Sequence, residues 1–179
     1  MVAGRLRFYS KNWSKYTTNK EILQTVQGMK IEFHAKLCQL YIPTELRLNA
    51  KESTGISNEI HRLVNLGVVV PSENETSQFV STVFARPKKD SKYRTILNLS
   101  KLNEYVTYHH FKMDTLETAL KFVTPCCFMA SIDLRDAYYC VPIHSDDQKY
   151  LKFTWQGKLY QYTALPNGLT SGPRNSQSY

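Results

Sequence analysis

Two local strand pairs constrain this chain more than any other feature. Gln78 to Arg86 and Tyr93 to Leu99 are rich in β-branched and aromatic residues and flank the polar turn KKDSK (88–92), the pattern of a β-hairpin. A second hairpin is expected over 151–163, turning at Gln156 and Gly157, because a turn of that length needs residues that tolerate positive φ. Strands paired by hairpins and separated by single helices favour an α+β fold with an antiparallel sheet over a doubly wound parallel one.

The helices follow from spacing. Ile56, Ile60, Leu63 and Val64 fall on one helical face, from about Glu52 to a C-terminal glycine at Gly67. VVVP (68–71) then reads as a short buried strand. A weaker helix is expected from Thr18 to Gly28 through Ile22, Leu23 and Val26. Asp114 offers an N-cap with Glu117 three residues on, and Leu116, Ala119, Leu120 and Val123 make one face. Cys126 to Ile132 is a nearly continuous apolar run ending in Asp133, the pattern of a central strand buried on both faces. No repeat or low-complexity tract interrupts the chain.

Composition bounds the rest. The 179 residues suffice for one domain or two packed sub-domains, and a 42% hydrophobic share provides a core. The net charge of +8, from 23 basic and 15 acidic residues, favours a polyanionic partner such as nucleic acid. Cys38, Cys126, Cys127 and Cys140 form no CxxC pair, and no histidine stands at metal-ligand spacing from them. No apolar run reaches the roughly 20 residues of a membrane helix, and the opening MVAGRLRFYSKNW is not of signal-peptide type. An intracellular protein, in cytoplasm or nucleus, without a membrane partner is the expectation.

Three groups of residues carry possible chemistry. Asp133, at the end of a buried strand, is placed either to hold a hard cation such as Mg²⁺ or to cap the short helix DAYYC that follows. The hairpin carries Arg86, Lys88, Lys89, Lys92, Arg94 and Lys101 against the single acid Asp90. Such a tip either clamps a triphosphate or is a solvated hairpin on a basic protein. Tyr138 and Tyr139 are, taken alone, core packing residues. No GxxxxGK[ST] loop is present, which excludes a P-loop enzyme.

In order and spacing, FARPKKDSKYRTILNLSKLNEYV (84–106), SIDLRDAYYCVPI (131–143) and YLKFTWQGKLYQYTALPNGLTSGPR (150–174) resemble the polymerase domain of retroelement reverse transcriptases. YHHFKMDTLETAL (108–120), LPNGL (165–169) and the opening GRLRFYSKNW…VQGMKIEF (4–33) look closest to DIRS-type, tyrosine-recombinase retrotransposons. The resemblance implies the fingers and part of the palm of a right-hand polymerase, with helices on one face of the sheet. It divides the chain into an upstream segment (1–50), fingers (51–107), a first part of the palm (108–140), a fingers return (141–165) and a further palm segment (166–179).

It also implies roles. Asp133 matches the first metal-binding aspartate, with the Leu134 carbonyl completing a contact to one of two Mg²⁺ ions. Asp136 and Ala137 sit where backbone amides meet the incoming triphosphate, and Tyr138 matches the aromatic gate that rejects a ribose 2′-hydroxyl. Arg94 matches the fingers arginine over the triphosphate; Lys88, or Lys89 if the register slips, matches the lysine on the γ-phosphate. Asn167 occupies the place beside the sugar, and Gly168 permits close backbone approach. The implied partners are an RNA or DNA template–primer and deoxynucleoside triphosphates.

The family's Tyr-x-Asp-Asp hairpin has no counterpart here, since no acidic residue follows Asp147. The expectation is an enzyme by descent that is inactive as this chain. The alternative is a nucleic-acid-binding remnant without chemistry, or the relic of a decayed element. Relatives continue after LPNGLTSGPR with a helix such as KFTKL; loss of one base from a coding for RKFTKL reads RNSQSY, the ending seen here, so a frameshifted end is expected. Without the missing hairpin, Phe128, Ala130 and Ile132 are expected to border an open sheet edge.

Overall fold

The structure, a computed structural model, describes residues 2–87, 93–109, 115–130 and 134–170. Helix α1 (Ser10–Trp13) continues a 3₁₀ turn (Arg5–Tyr9), and α2 (Lys20–Gly28) follows. Asn19 caps α2 by accepting the Glu21 and Ile22 amides, so the weak helix expected there forms. The longest helix, α3 (Ala50–Asn65), opens with a capping box: the Asn49 side chain accepts from the Glu52 amide while Glu52 accepts from that of Asn49. It buries Ile56, Ile60 and Leu63 and ends before Gly67, whose φ of 69° reverses the chain.

Five strands form one sheet in the order β1-β5-β4-β2-β3. They are β1 (Val69–Pro71), β2 (Val80–Pro87), β3 (Tyr93–Asn98), β4 (Lys152–Trp155) and β5 (Lys158–Tyr162). Both expected hairpins are present: β2 pairs with β3 from Thr82↔Asn98 to Pro87↔Tyr93, and β4 with β5 from Lys152↔Gln161 to Trp155↔Lys158. Gln156 (φ 49°) and Gly157 (φ 72°) both adopt the left-handed region that a two-residue turn demands. Glu45 accepts from both of their amides at 3.0 Å and holds that turn.

The purely antiparallel sheet is corrected in one respect. The two hairpins meet side by side through β2 and β4, which run parallel at Val80↔Lys152 and Ser81↔Phe153. The long connection between them leaves room for the crossover that a parallel pair requires. Helix α3 packs against β1, β2 and β3, and the core gathers around Ile56, Val68, Phe79, Val83, Leu97, Leu151 and Phe153.

Beyond β3, α4 (Ser100–Asn103) leads toward 104–109; then come α5 (Leu116–Leu120), a 3₁₀ turn (Ala137–Cys140) and α6 (Ser145–Gln148). Here two further expectations are corrected. Helix α5 stops at Leu120, and Leu116, Leu120 and Val123 are exposed. Residues 126–130 form no strand, and Phe128 is fully exposed. A central strand needs a neighbour on each side, and among the described residues none lies beside this run. Among them, too, no helix is long and apolar enough to cross a membrane.

Candidate functional site

The turn Arg135–Tyr138 is built around an unusual backbone. Asp136 has φ 54° and ψ 39°, a left-handed conformation that a short polar side chain tolerates, and it opens the 3₁₀ turn. Its carboxylate accepts from Arg62 Nη1 at 3.1 Å. The rest of that guanidinium closes on Glu59, with Nε–Oε2 2.9 Å and Nη2–Oε1 2.8 Å. These partners, the Glu59 hydrogen bond first, hold Arg62 charged well above its ordinary range, against the opposing effect of burial. The Asp136 side chain is therefore already engaged. Arg135 Nε lies 3.9 Å from the same carboxylate, with its side chain almost entirely in solvent.

A cleft of about 900 Å³ opens above this turn. One wall is α3, through Lys51, Asn58, Glu59 and Arg62; Tyr93 and the pair Arg135–Asp136 complete it. Gly55 lets the hairpin dock there, since a Cβ at that position would stand 2.8 Å from Tyr93 Cβ. Arg94 follows Tyr93 on β3, paired by backbone with Arg86. Lys88, Lys89 and Asp133 lie outside the described residues, as does Asp114. Leu134, whose carbonyl was expected at a metal, is exposed.

The Asn167–Gly168 loop is tied to the same framework. Leu165 donates to the Val141 carbonyl at 2.9 Å, and Pro142 bridges Ala164, so the loop leaves from the segment that follows Tyr138. Asn167 and Gly168 are exposed, and Gly168 has φ 97°. Asn103, at the end of α4, grips the loop twice: Nδ2 donates to the Gly168 carbonyl at 2.9 Å and Oδ1 accepts from the Thr170 amide at 3.1 Å. Tyr138 is half-buried against the core, whereas Tyr139 is buried, which pushes its hydroxyl pKa up to about 12.

The structure thus brings Asp136, Ala137 and Tyr138 into one framework with Asn167 and Gly168. Residue spacing did not single out Arg62, Glu59, Gly55 or Asn103 as part of it. Arg62 and Glu59 stand three apart on α3, but their partner lies far along the chain. Asn103 sits within the SKLNEYV stretch with nothing local to mark its side chain as a clamp. Among the described residues, no group of three or more His, Cys, Asp or Glu side chains could hold a metal ion.

No family model matches the chain. It is homologous to retrotransposon and foamy-virus polyproteins. It is 21% identical over 172 residues to the Transposon Tf2-3 polyprotein of Schizosaccharomyces pombe, a match covering 94% of this chain and 12% of that one. It is 26% identical over 126 residues to the Pro-Pol polyprotein of Simian foamy virus type 1, covering 70% and 11%. The chain thus spans about an eighth or less of these relatives. Among solved structures, it superposes on the foamy viral protease-reverse transcriptase in complex with dsDNA with a TM-score of 0.63 at 19% identity, over 97% of this chain and 40% of that one. A second complex, of the dRH form with ds DNA, gives 0.64 at 19% identity over 99% and 35%. The fold is shared with part of those proteins.

Proposed function

We propose that this chain is the fingers and first palm region of a retrotransposon reverse transcriptase, of the DIRS type, and that its own residues bind a template–primer and a deoxynucleoside triphosphate. The observation that carries the reading is the cleft between α3, Tyr93 and the Arg135–Asp136 turn, set in a fold that matches a protease-reverse transcriptase over 97% of the chain. In this reading residues 51–107 and 141–165 are fingers, 108–140 and 166–179 belong to the palm, and 1–50 lies upstream.

The Arg62 fork holds the Asp136 side chain aside, so the amides of Asp136 and Ala137 face the triphosphate. Tyr138 borders the sugar, and the Asn167–Gly168 loop, held by Asn103, faces it from the other side. Arg94 and Lys88, or Lys89, close on the phosphates from the hairpin. Magnesium enters only through Asp133 and the Leu134 carbonyl; two such groups do not complete a coordination sphere. Nucleotidyl transfer through a metal pair needs several converging carboxylates, so these 179 residues alone bind without catalysing.

Primer extension tests this directly. The purified chain, given Mg²⁺, a primed RNA template and deoxynucleotides, is expected to add nothing above background. It should nevertheless bind the template–primer with an affinity that falls steeply with salt. Extension that Asp133→Asn abolishes would refute the claim that the chain is inactive. Absence of binding at low salt would refute the nucleic-acid reading altogether.

A further inference from the structure

The amino-terminal segment is a second charged surface that the cleft does not absorb. Between Val2 and Lys20 the sequence holds Arg5, Arg7, Lys11, Lys15 and Lys20 and no acidic residue. Leu6, Ser10 and Trp13, spaced by four and three residues, are the half-buried inner stripe of the 3₁₀ turn and α1, and Thr17 beyond them is half-buried too. The outward side should then be polar throughout. Instead it carries Phe8, Tyr9 and Tyr16 at 66%, 56% and 86% exposure, interleaved with the exposed Arg5, Arg7, Lys11 and Lys15. The Arg7 guanidinium already lies over the Phe8 ring, 5.3 Å from its centroid.

The segment is fixed to the molecule. Ala3 is buried and donates to the Leu66 carbonyl at 3.1 Å, and Gly4 donates to that of Tyr139 at 2.8 Å. Gly4 adopts a φ of 58° with Pro142 so close that a Cβ would meet it at 2.9 Å. The basic arm therefore springs from the same 3₁₀ turn that carries Ala137 and Tyr138 in the candidate site.

From this arrangement we infer that the outer face of residues 5–16 is a binding track for single-stranded nucleic acid. Cations at this density attract phosphates, while solvent-exposed rings present flat faces on which unpaired bases stack without sequence preference. A duplex hides its base faces and cannot use the rings, so a single strand is the fitting occupant. The inference rests on the nucleic-acid reading above and extends it from the cleft to the outer surface.

Fluorescence anisotropy with a labelled twenty-nucleotide oligouridine, and with a blunt duplex of the same length as control, tests it on the full chain. Each amino-terminal residue to be changed is exposed, so circular dichroism and melting of those variants should match the parent. Arg5, Arg7, Lys11 and Lys15 together changed to Gln should weaken single-strand binding at least tenfold. They should also flatten the slope of log K against log salt by about 2 to 3, at roughly 0.7 per lost phosphate contact. Phe8→Ala with Tyr16→Ala should weaken the single strand by about tenfold while leaving both duplex binding and the salt slope unchanged. A parallel variant with Lys88, Lys89, Lys92 and Arg94 changed to Gln reports on the hairpin. If that variant loses binding while both amino-terminal variants bind like the parent, the track is refuted and the cleft reading stands. If the parent itself binds neither oligonucleotide, both fail together.

Discussion

Replacing Lys152 with methionine tests what fastens the two hairpins into one sheet. Lys152 lies on β4 opposite Val80, at the parallel seam, and is fully buried. Its ammonium donates to the Glu73 carbonyl at 2.7 Å and to Gln78 Oε1 at 3.1 Å, and pairs with Glu75 Oε1 at 2.6 Å. Three donors meet three acceptors, all from the loop that leads into β2. Methionine keeps most of the volume, so the change removes interactions without opening a large cavity. Hydrogen bonds to a charged group contribute about 1.5–3 kcal/mol each, net of the water they replace, and methionine gives part of that back because it removes a buried ammonium. Glu75 is half exposed and regains water, whereas the Glu73 carbonyl and Gln78 lose a partner. The balance is a destabilisation of about 2–3 kcal/mol. In urea the midpoint should fall by about 1–2 M with an unchanged slope, and amides of 73–80 should lose exchange protection. A Lys152→Met protein as stable as the parent, with that loop equally protected, would refute the clasp.

Two other perturbations follow from packing and titration. Gly55→Ala improves helix propensity by about 1 kcal/mol yet drives a Cβ against Tyr93; a net loss of about 1–2 kcal/mol by thermal melting is expected, and a gain would mean that Tyr93 does not rest on α3. Tyr139 is held neutral by burial, its pKa pushed up to about 12, and burial raises Tyr162 well above its ordinary value too. Raised values favour the protonated native form, so their stabilisation is complete below the ordinary tyrosine pKa and is lost as pH climbs toward and past 12. Tyr139→Phe should flatten this alkaline loss by up to about 1.4 kcal/mol per pH unit, measured as denaturation midpoints between pH 9 and 11.5; an unchanged slope would count against burial of the hydroxyl.

What could be read from the residues was what short-range physics decides. Gln156–Gly157 announced its turn because few residue pairs accept two left-handed conformations in succession. Helix α3 was visible from Ile56, Ile60 and Leu63, although its true start lay in an Asn49–Glu52 capping box that the apolar spacing does not report. The 126–132 run shows the limit. Continuous apolarity states that a segment wants cover, not that cover is at hand, and Phe128 stands in solvent. The parallel seam and the Arg62–Asp136 pair were equally hidden, because each joins residues some seventy positions apart and depends on how the whole chain is wound. Within the site, Asp136 and Gly168 have positive φ, while the side chains that hold them, Arg62 and Asn103, emerged only in three dimensions.

The seam also sets a timetable for folding. The β2–β3 hairpin can close as soon as Asn98 is made, but β1 finds its partner only in β5 and β2 its second partner only in β4. At the usual pace of synthesis, the interval between Pro71 and Tyr162, about ninety residues, lasts on the order of 5–20 s. Throughout it the nascent chain carries an unpaired β1 and an open β2 edge. Pairings so distant in sequence close slowly even in the finished polypeptide. A chain wound in this way is most vulnerable to association with its neighbours on the ribosome, before the β4–β5 hairpin arrives to fill the gap between its first two strands.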